Sequence, residues 1–331
     1  MKVTRIAKVA IATAAAAGLA VGTLSPATAA TRSTVVLVTS NQLTGLNPSV
    51  SNMNLTFNSE VAYMQGFGFN YYDNSPKLVD NKTFGSYKIV SQKPFKVQYT
   101  VNKGKVWSDG TPITAVDLLL SHVLSSNAYS KAAGLGDPDS DNVPAFNSNG
   151  YGGTYSDNIV GDPVLSADKM SVTLQYKKKI ANWDLFGPGP SDVHALVLMS
   201  EGKKSLQSVK ENEAARDRFL AAYNSKNTAV LKAIGKVWSE AYNITQVDDK
   251  TNPLLFVGNG GFLVDSAVTK SSVTLKANPK YNSGPALSGS VDTVIFKFIS
   301  DGTAAAQALA NGELDVYSGQ PTADSVAALK K

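Results

Sequence analysis

The stretch KVWSDGTPITAVDLLLSH, residues 105–122, constrains the fold of this chain more than any other. Just upstream, Phe95, Val97, Tyr99 and Val101 alternate with Lys96, Gln98, Thr100 and Asn102, the period of a strand with one buried face. Asp109-Gly110 and Pro112 are turn chemistry, because glycine takes positive φ freely and proline holds φ at about −65°. Thr114, followed three residues later by Asp117, has the spacing of a capping box, so a helix leaves the corner with Val116, Leu118, Leu119 and Leu120 turned inward. A strand, a tight corner and a capped helix are therefore expected in that order.

Lys2, Arg5 and Lys8 precede an apolar run from Val9 to Leu24, and Ala27-Thr28-Ala29 follows, which is the pattern of a cleaved secretory leader over residues 1–30. An uncleaved anchor is the alternative, but the run is short, alanine-rich and closed by small residues rather than basic ones. Losing those three basic residues takes the formal charge of +5 close to neutrality, which argues against a nucleic-acid partner. The chain has no cysteine, so disulfides, cysteine-held metals and a thiol nucleophile are excluded. So is a lipidated cysteine, and the expectation is an exported protein, periplasmic or extracellular, not lipid-anchored through cysteine. The remaining chain of about 300 residues exceeds the usual size of one domain, which favours two lobes.

Along the chain, Thr34 to Val38 reads as a short strand of buried type, and the aromatics Phe57, Tyr63, Phe67, Phe69, Tyr71 and Tyr72 read as packing residues. Residues 125–163 are rich in Gly, Asn, Ser and Asp and read as a long surface loop. Within it, Asp137, Asp139 and Asp141 have the opening spacing of a calcium loop. Asn142 and Ser148 stand where that loop needs glycine and glutamate, so a polar turn is the better reading. Val172, Leu174 and Tyr176 mark another strand, and LQSVKENEAARDRFLAAYN and TAVLKAIGKVWSEAY mark two amphipathic helices. SSVTLKANPKY is a strand, and VDTVIFKFI with DGTAAAQALANGELDVY predicts a strand, a helix stopped at Gly312 and a second strand.

Chemistry-bearing motifs are few. Two histidines, His122 and His194, cannot build a histidine-rich metal centre, and His122 reads as a packing residue on its helix. No G-x-S-x-G, P-loop or dinucleotide fingerprint occurs, and the closeness of Asp192 to His194 in sequence says little about space. Carboxylate pairs stay open, since their separation is a three-dimensional fact. No catalytic residue, metal or cofactor is assigned.

VWSDGTPITAVDLLLSH resembles the W-S-D-G-x-P-x-T-A-x-D signature of the extracytoplasmic solute-binding proteins of ABC transporters, in the oligopeptide- and dipeptide-binding family, family 5. VVLVTSNQLTGLNPS resembles that family's first strand and L-(D/N)-P turn. FVGNGGFLV followed by VTLKANPKYNSG resembles its N-G-x-Y/F and N-P-x-Y segments, with Tyr281-Asn282 where Tyr-Trp is common. VDTVIFKFISDGTAAAQALANGELDVY resembles its interlobe strand and G-E-x-D unit. The resemblance, over residues 34–331, implies an α/β, periplasmic-binding-protein-like two-lobe (Venus flytrap) fold with the second lobe incomplete in this chain. Residues 31–290 would form lobe one, with an inserted subdomain over about 55–170, and 291–331 would begin lobe two.

The function so implied is a monomeric receptor that captures peptides or similar solutes and hands them to the permease subunits of an ABC importer. An envelope adhesion or sensing protein on the same scaffold is the alternative, and a secreted hydrolase a lesser one. By family position, Asn52, Met53 and Asn54 reach the ligand cleft, Asn259, Gly260 and Phe262 line it, and Gln320 is a further candidate. The Asn259 amide reads as an exposed partner for a peptide backbone, with a turn asparagine as the alternative.

Overall fold

The computed structural model describes residues 33–140, 144–181, 183–185, 187–319 and 322–330, so the leader, Asp141, Asn142 and Gln320 lie outside the described residues. The chain opens with strand β1 (Thr34–Thr39) and helix α1 (Thr56–Gln65), then a small hairpin, β2 (Asn70–Tyr72) with β3 (Leu78–Asp80). Strands β4 (Gly85–Gln92) and β5 (Phe95–Val101) lead into the corner. There the expected capping box is present: Val116 N–H donates to Thr114 Oγ1 at 3.3 Å, and Thr114 N–H donates to the Asp117 carboxylate at 2.8 Å. One 3-10 turn, Ala115–Leu118, then runs into α2 (Leu119–Val123), and all four apolar residues named above are buried.

The segment read as a long loop is interrupted by two short helices, α3 (Asn127–Ala132) and α4 (Gly153–Asn158). Ser126 caps α3 by accepting from Tyr129 N–H, and Tyr129 stacks on Tyr223 with ring centroids 4.9 Å apart. Helix formation here comes from a cap and one aromatic anchor rather than from apolar periodicity, which is why the pattern misses it. Lys131 reaches Asp137 at 2.9 Å and Asp139 at 2.6 Å, so an ammonium sits where a calcium loop would hold its ion.

After β6 (Val164–Leu165) and β7 (Ser171–Tyr176), the helices α5 (Val193–Ser200), α6 (Val209–Ser225) and α7 (Thr228–Glu240) pack on one another, burying Phe219, Leu231, Ile234 and Trp238. Strands β8 (Phe262–Val268), β9 (Ser272–Ala277) and β10 (Thr293–Phe298), then α8 (Gly302–Ala310) and α9 (Ala323–Leu329), complete the described chain.

Two four-stranded sheets result. One is antiparallel, in the order β4-β5-β7-β6, and buries Phe95, Val97, Tyr99 and Val101 on one face as the alternation predicts. The other has the order β1-β10-β9-β8, with β1 and β10 parallel and the rest antiparallel. Residues 293–298, placed by the sequence reading at the start of a second lobe, are thus an inner strand of this sheet. Its length and apolar content suit that position, between two partners that satisfy both backbone edges. The second strand expected after α8 is reduced to one bridging residue, Val316, which pairs with Leu37. β1 is only half-buried except at Thr39, short of the buried type expected. Tyr63 and Tyr72 are exposed, whereas Phe57 and Phe69 pack in the core.

Candidate ligand-binding site

The residues expected to meet ligand do not converge on one point; they sit at the two ends of α1. That helix has 10 residues, so at about 1.5 Å per residue its ends lie about 15 Å apart. At its start, the turn Ser51–Met53 is held by Asn58, whose side chain donates to Met53 O and to Thr44 Oγ1, each at 2.8 Å, and accepts from Thr44 N–H at 3.1 Å. This clamp ties the loop after β1 to the turn before α1. Met53 is buried beneath Gly45, which removes it from contact with any ligand. Asn52 and Asn54 point the other way: both are exposed, with no side-chain hydrogen bond among the described residues.

On the loop after β1, Asn41 and Gln42 are also exposed and their amides equally free among the described residues. A hollow of about 400 Å³ opens there, lined by Ser40, Gln42, Thr44, Leu55, Thr56 and Phe298. It lies past the carboxyl ends of the parallel pair β1 and β10, the end of such a sheet where ligands bind in open α/β folds. Asn41 and Gln42 were missed in the sequence, although polar amides directly after a short apolar strand are the signal that marks that end.

At the far end of α1, Asn259 is buried, contrary to the exposed amide expected. It donates to Phe67 O at 2.8 Å and accepts from Phe67 N–H at 3.0 Å, so the extended backbone it reads is the chain's own. Gly260 N–H donates to Gln65 O at 2.8 Å, and a Cβ on Gly260 would lie 2.2 Å from the Met64 carbonyl oxygen. Only glycine lets this loop close onto the helix end. Phe262, the first residue of β8, is half-buried against the core.

The W-S-D-G corner docks on the same loop. Ser108 N–H donates to Gly258 O at 2.9 Å, and Gly258 N–H donates back to Ser108 Oγ at 3.2 Å. Asp109 turns inward: its buried carboxylate accepts from His194 Nε2–H and from Asn212 Nδ2–H at 2.9 Å each, and from Thr111 N–H at 2.9 Å. Burial alone would push this carboxyl up; the His194 and Thr111 hydrogen bonds outweigh it and hold the pKa below the ordinary aspartate value. Asp117, buried 3.6 Å from the Arg216 guanidinium, is raised by burial, with Arg216 and the Thr114 hydrogen bonds opposing. His194 therefore pairs with Asp109 and not with its sequence neighbour Asp192. Asn282, the departure from the family's Tyr-Trp, accepts from Val106 N–H and donates to Gly104 O at 2.8 Å, pinning the approach to the corner.

His122 is buried as expected, against Tyr129, Tyr155 and Tyr223, with Nδ1 2.9 Å from Tyr155 Oη. Among the described residues no group of three or more His, Cys, Asp or Glu side chains is placed to hold a metal.

Asp192, at the N-terminus of α5, makes no side-chain cap there. Instead it lines a cavity of about 260 Å³ with Trp107, Trp238 and Tyr242. Burial pushes its carboxyl from the ordinary 3.8 up to about 7, with His194 opposing and Asp109 and Asp117 adding to the rise. A folded pKa above the unfolded one means that stability from this group is fully present below the unfolded pKa and lost as pH rises through the folded value. Asp192→Asn, which cannot ionise, should therefore gain on the wild type in melting midpoint between about pH 4 and about pH 8. A gap that stays constant across that range would show an Asp192 carboxyl with ordinary solvation.

Residues 86–331 match the family described as bacterial extracellular solute-binding proteins, family 5 Middle. An uncharacterized lipoprotein of Mycobacterium bovis is 22% identical over 237 residues, covering 70% of this chain and 37% of that protein. An uncharacterized lipoprotein of Mycobacterium tuberculosis matches to the same extent. The periplasmic EDTA-binding protein EppA superposes with a TM-score of 0.59 at 20% identity, over 90% of this chain and 45% of that one. The oligopeptide-binding protein AppA from Bacillus subtilis, in complex with a nonapeptide, gives 0.55 at 16% identity, over 90% and 46%. The chain thus spans less than half the length of these relatives. Their likeness shows the fold, the α/β fold of periplasmic binding proteins. The curated relatives are named lipoproteins, whereas these 331 residues hold no cysteine. No helix among the described residues is long and apolar enough to cross a membrane. With well over half its residues matched, the chain belongs to the bacterial extracellular solute-binding proteins of family 5.

Proposed function

We propose that this chain supplies the ligand-contacting face of an extracytoplasmic receptor that captures a peptide or similar solute for an ABC importer. The observation that carries this reading is the hollow past β1 and β10, which the exposed amides Asn41 and Gln42 line. The exposed Asn52 and Asn54 stand on the turn that leads into its lining residues Leu55 and Thr56, and none of the four amides is hydrogen-bonded among the described residues. Each amide offers donors and an acceptor, the complement of an extended peptide backbone, and none makes contact with a particular side chain obligatory. Asn259, Gly260 and Phe262 enter the proposal as supports of that face rather than as ligand contacts, and Met53 as its buried anchor. Retention at the cell surface by a route other than a lipidated cysteine within these residues, and action as a monomer, belong to the same proposal. Ligand acts by population shift, favouring whichever arrangement lets it contact the whole receptor.

The test is the melting midpoint of the chain against a pool of di- to pentapeptides. A peptide at about 100 times its dissociation constant stabilises by about 2.7 kcal/mol. The double variant Asn52→Ala/Asn54→Ala should lose most of that rise while its unliganded stability stays within about 0.5 kcal/mol, as for other exposed substitutions. No rise with any peptide in the wild type, or peptide turnover traced to the pure chain, would sink the reading.

A further inference from the structure

The cavity beside Asp192 is separate from the hollow past β1 and β10 and has a different chemistry. Its lining joins the corner, through Trp107, to the L-N-P turn, through Asn47 and Ser49, and to α7, through Trp238. Asp192 is the one charged side chain among its lining residues, and no lysine or arginine faces it. No side chain of the described residues hydrogen-bonds the Asp192 carboxyl, although the residue stands where a helix cap would use it. Two neighbouring amides are already engaged: that of Asn47 donates to Trp238 O at 3.1 Å and accepts from Ser49 N–H, and that of Asn259 is taken by Phe67, while the buried Trp107 indole N–H has no partner among the described residues. The Asp192 carboxyl thus stands without a side-chain partner among three buried aromatic side chains, Trp107, Trp238 and Tyr242.

A lone carboxylate with aromatic walls selects a cation by its chemistry. Aromatic faces attract ammonium groups, the more so when desolvated. A hard metal ion is a poor fit, because it needs about six oxygen ligands and this lining offers one carboxylate and mostly committed amides. At about 260 Å³ the space falls below the roughly 300–1,000 Å³ of pockets that bury drug-sized ligands. We infer that this cavity is a second binding site, for a small organic ammonium compound that pairs with Asp192 between the rings of Trp107, Trp238 and Tyr242. The site is complete within residues 46–259 and goes beyond the receptor reading, so failure with peptides leaves it standing and its own failure leaves that reading intact.

The probe is propylammonium chloride at about pH 8, where the Asp192 carboxyl is ionised, with propanol and propionate as neutral and anionic compounds of the same size and sodium chloride as the ionic control. Propylammonium should raise the wild-type midpoint by a few degrees and shift the tryptophan emission, while the three controls do neither. Asp192→Asn should lose both responses and remain folded, since it removes only a charge that burial disfavours. Equal midpoint shifts from propanol or sodium chloride, or an undiminished response in Asp192→Asn, would overturn the assignment.

Discussion

Replacing Asp109 by alanine should lower the stability of the chain by about 3–5 kcal/mol, because each buried donor left unsatisfied costs about 1–3 kcal/mol. The loss is larger than that of one hydrogen bond because three donors converge on this carboxylate. His194 Nε2–H, Asn212 Nδ2–H and Thr111 N–H are all left without it. Asn212 retains Thr111 Oγ1 at 2.8 Å, so its share is the smallest. His194 has no other outlet, since its Nδ1 is also buried without a partner among the described residues. Asp109→Asn keeps the shape and one acceptor and should cost less than the alanine variant. Urea denaturation of both variants gives the measurement. A loss under about 1 kcal/mol for Asp109→Ala would mean that water already reaches the network and that the corner is held by its apolar contacts alone.

That prediction bears on how the family's most visible motif works. Nothing in the corner lines the hollow past β1 and β10. Trp107 lines the cavity beside Asp192 and stands 6.2 Å from the His194 ring, Ser108 is bonded to Gly258, the Asp109 carboxylate is buried, and Gly110 takes a φ of 91°. The motif braces the glycine loop 258–261, which in turn closes on the end of α1, whose other end presents Asn52 and Asn54. Structural need accounts for Ser108, Asp109 and Gly110, while Trp107 also forms a wall of the cavity beside Asp192.

Much of this was legible in the sequence where a single local rule decides the outcome. The alternation of Phe95 to Val101, the Thr114 and Asp117 cap, and the two long helices α6 and α7 follow from period and capping, and all are present. The helices α3 and α4 were not legible, because they carry no apolar stripe long enough to be read. Pairings across long separations were also beyond reach. His194 meets Asp109 across 85 positions and Asn259 meets Phe67 across 192, and no spacing rule couples such residues. For the candidate site, family position named Asn52, Met53 and Asn54 together, and it could not tell the two exposed asparagines from Met53 between them, which a short helical turn rotates into the core.

Asn259→Ala separates the two roles open to that residue. If the amide is a brace, as its contacts with Phe67 indicate, its removal strands one backbone N–H and one carbonyl that the fold half-buries. Each unsatisfied group costs about 1–3 kcal/mol, so the unliganded protein should lose about 2–4 kcal/mol after partial hydration. Asn259→Asp is the sharper variant, because a carboxylate still accepts from Phe67 N–H but faces the Phe67 carbonyl with no proton to donate. It should be destabilised as well, and more as the carboxyl ionises. A residue that served ligand alone would behave oppositely, with an unchanged midpoint in the free protein and a lost response to peptide. The two readouts therefore divide the cases: a lowered unliganded midpoint with the peptide-induced rise retained places Asn259 in the scaffold, and an unchanged midpoint would return it to the ligand face and reopen the question of what the loop 258–261 is built to hold.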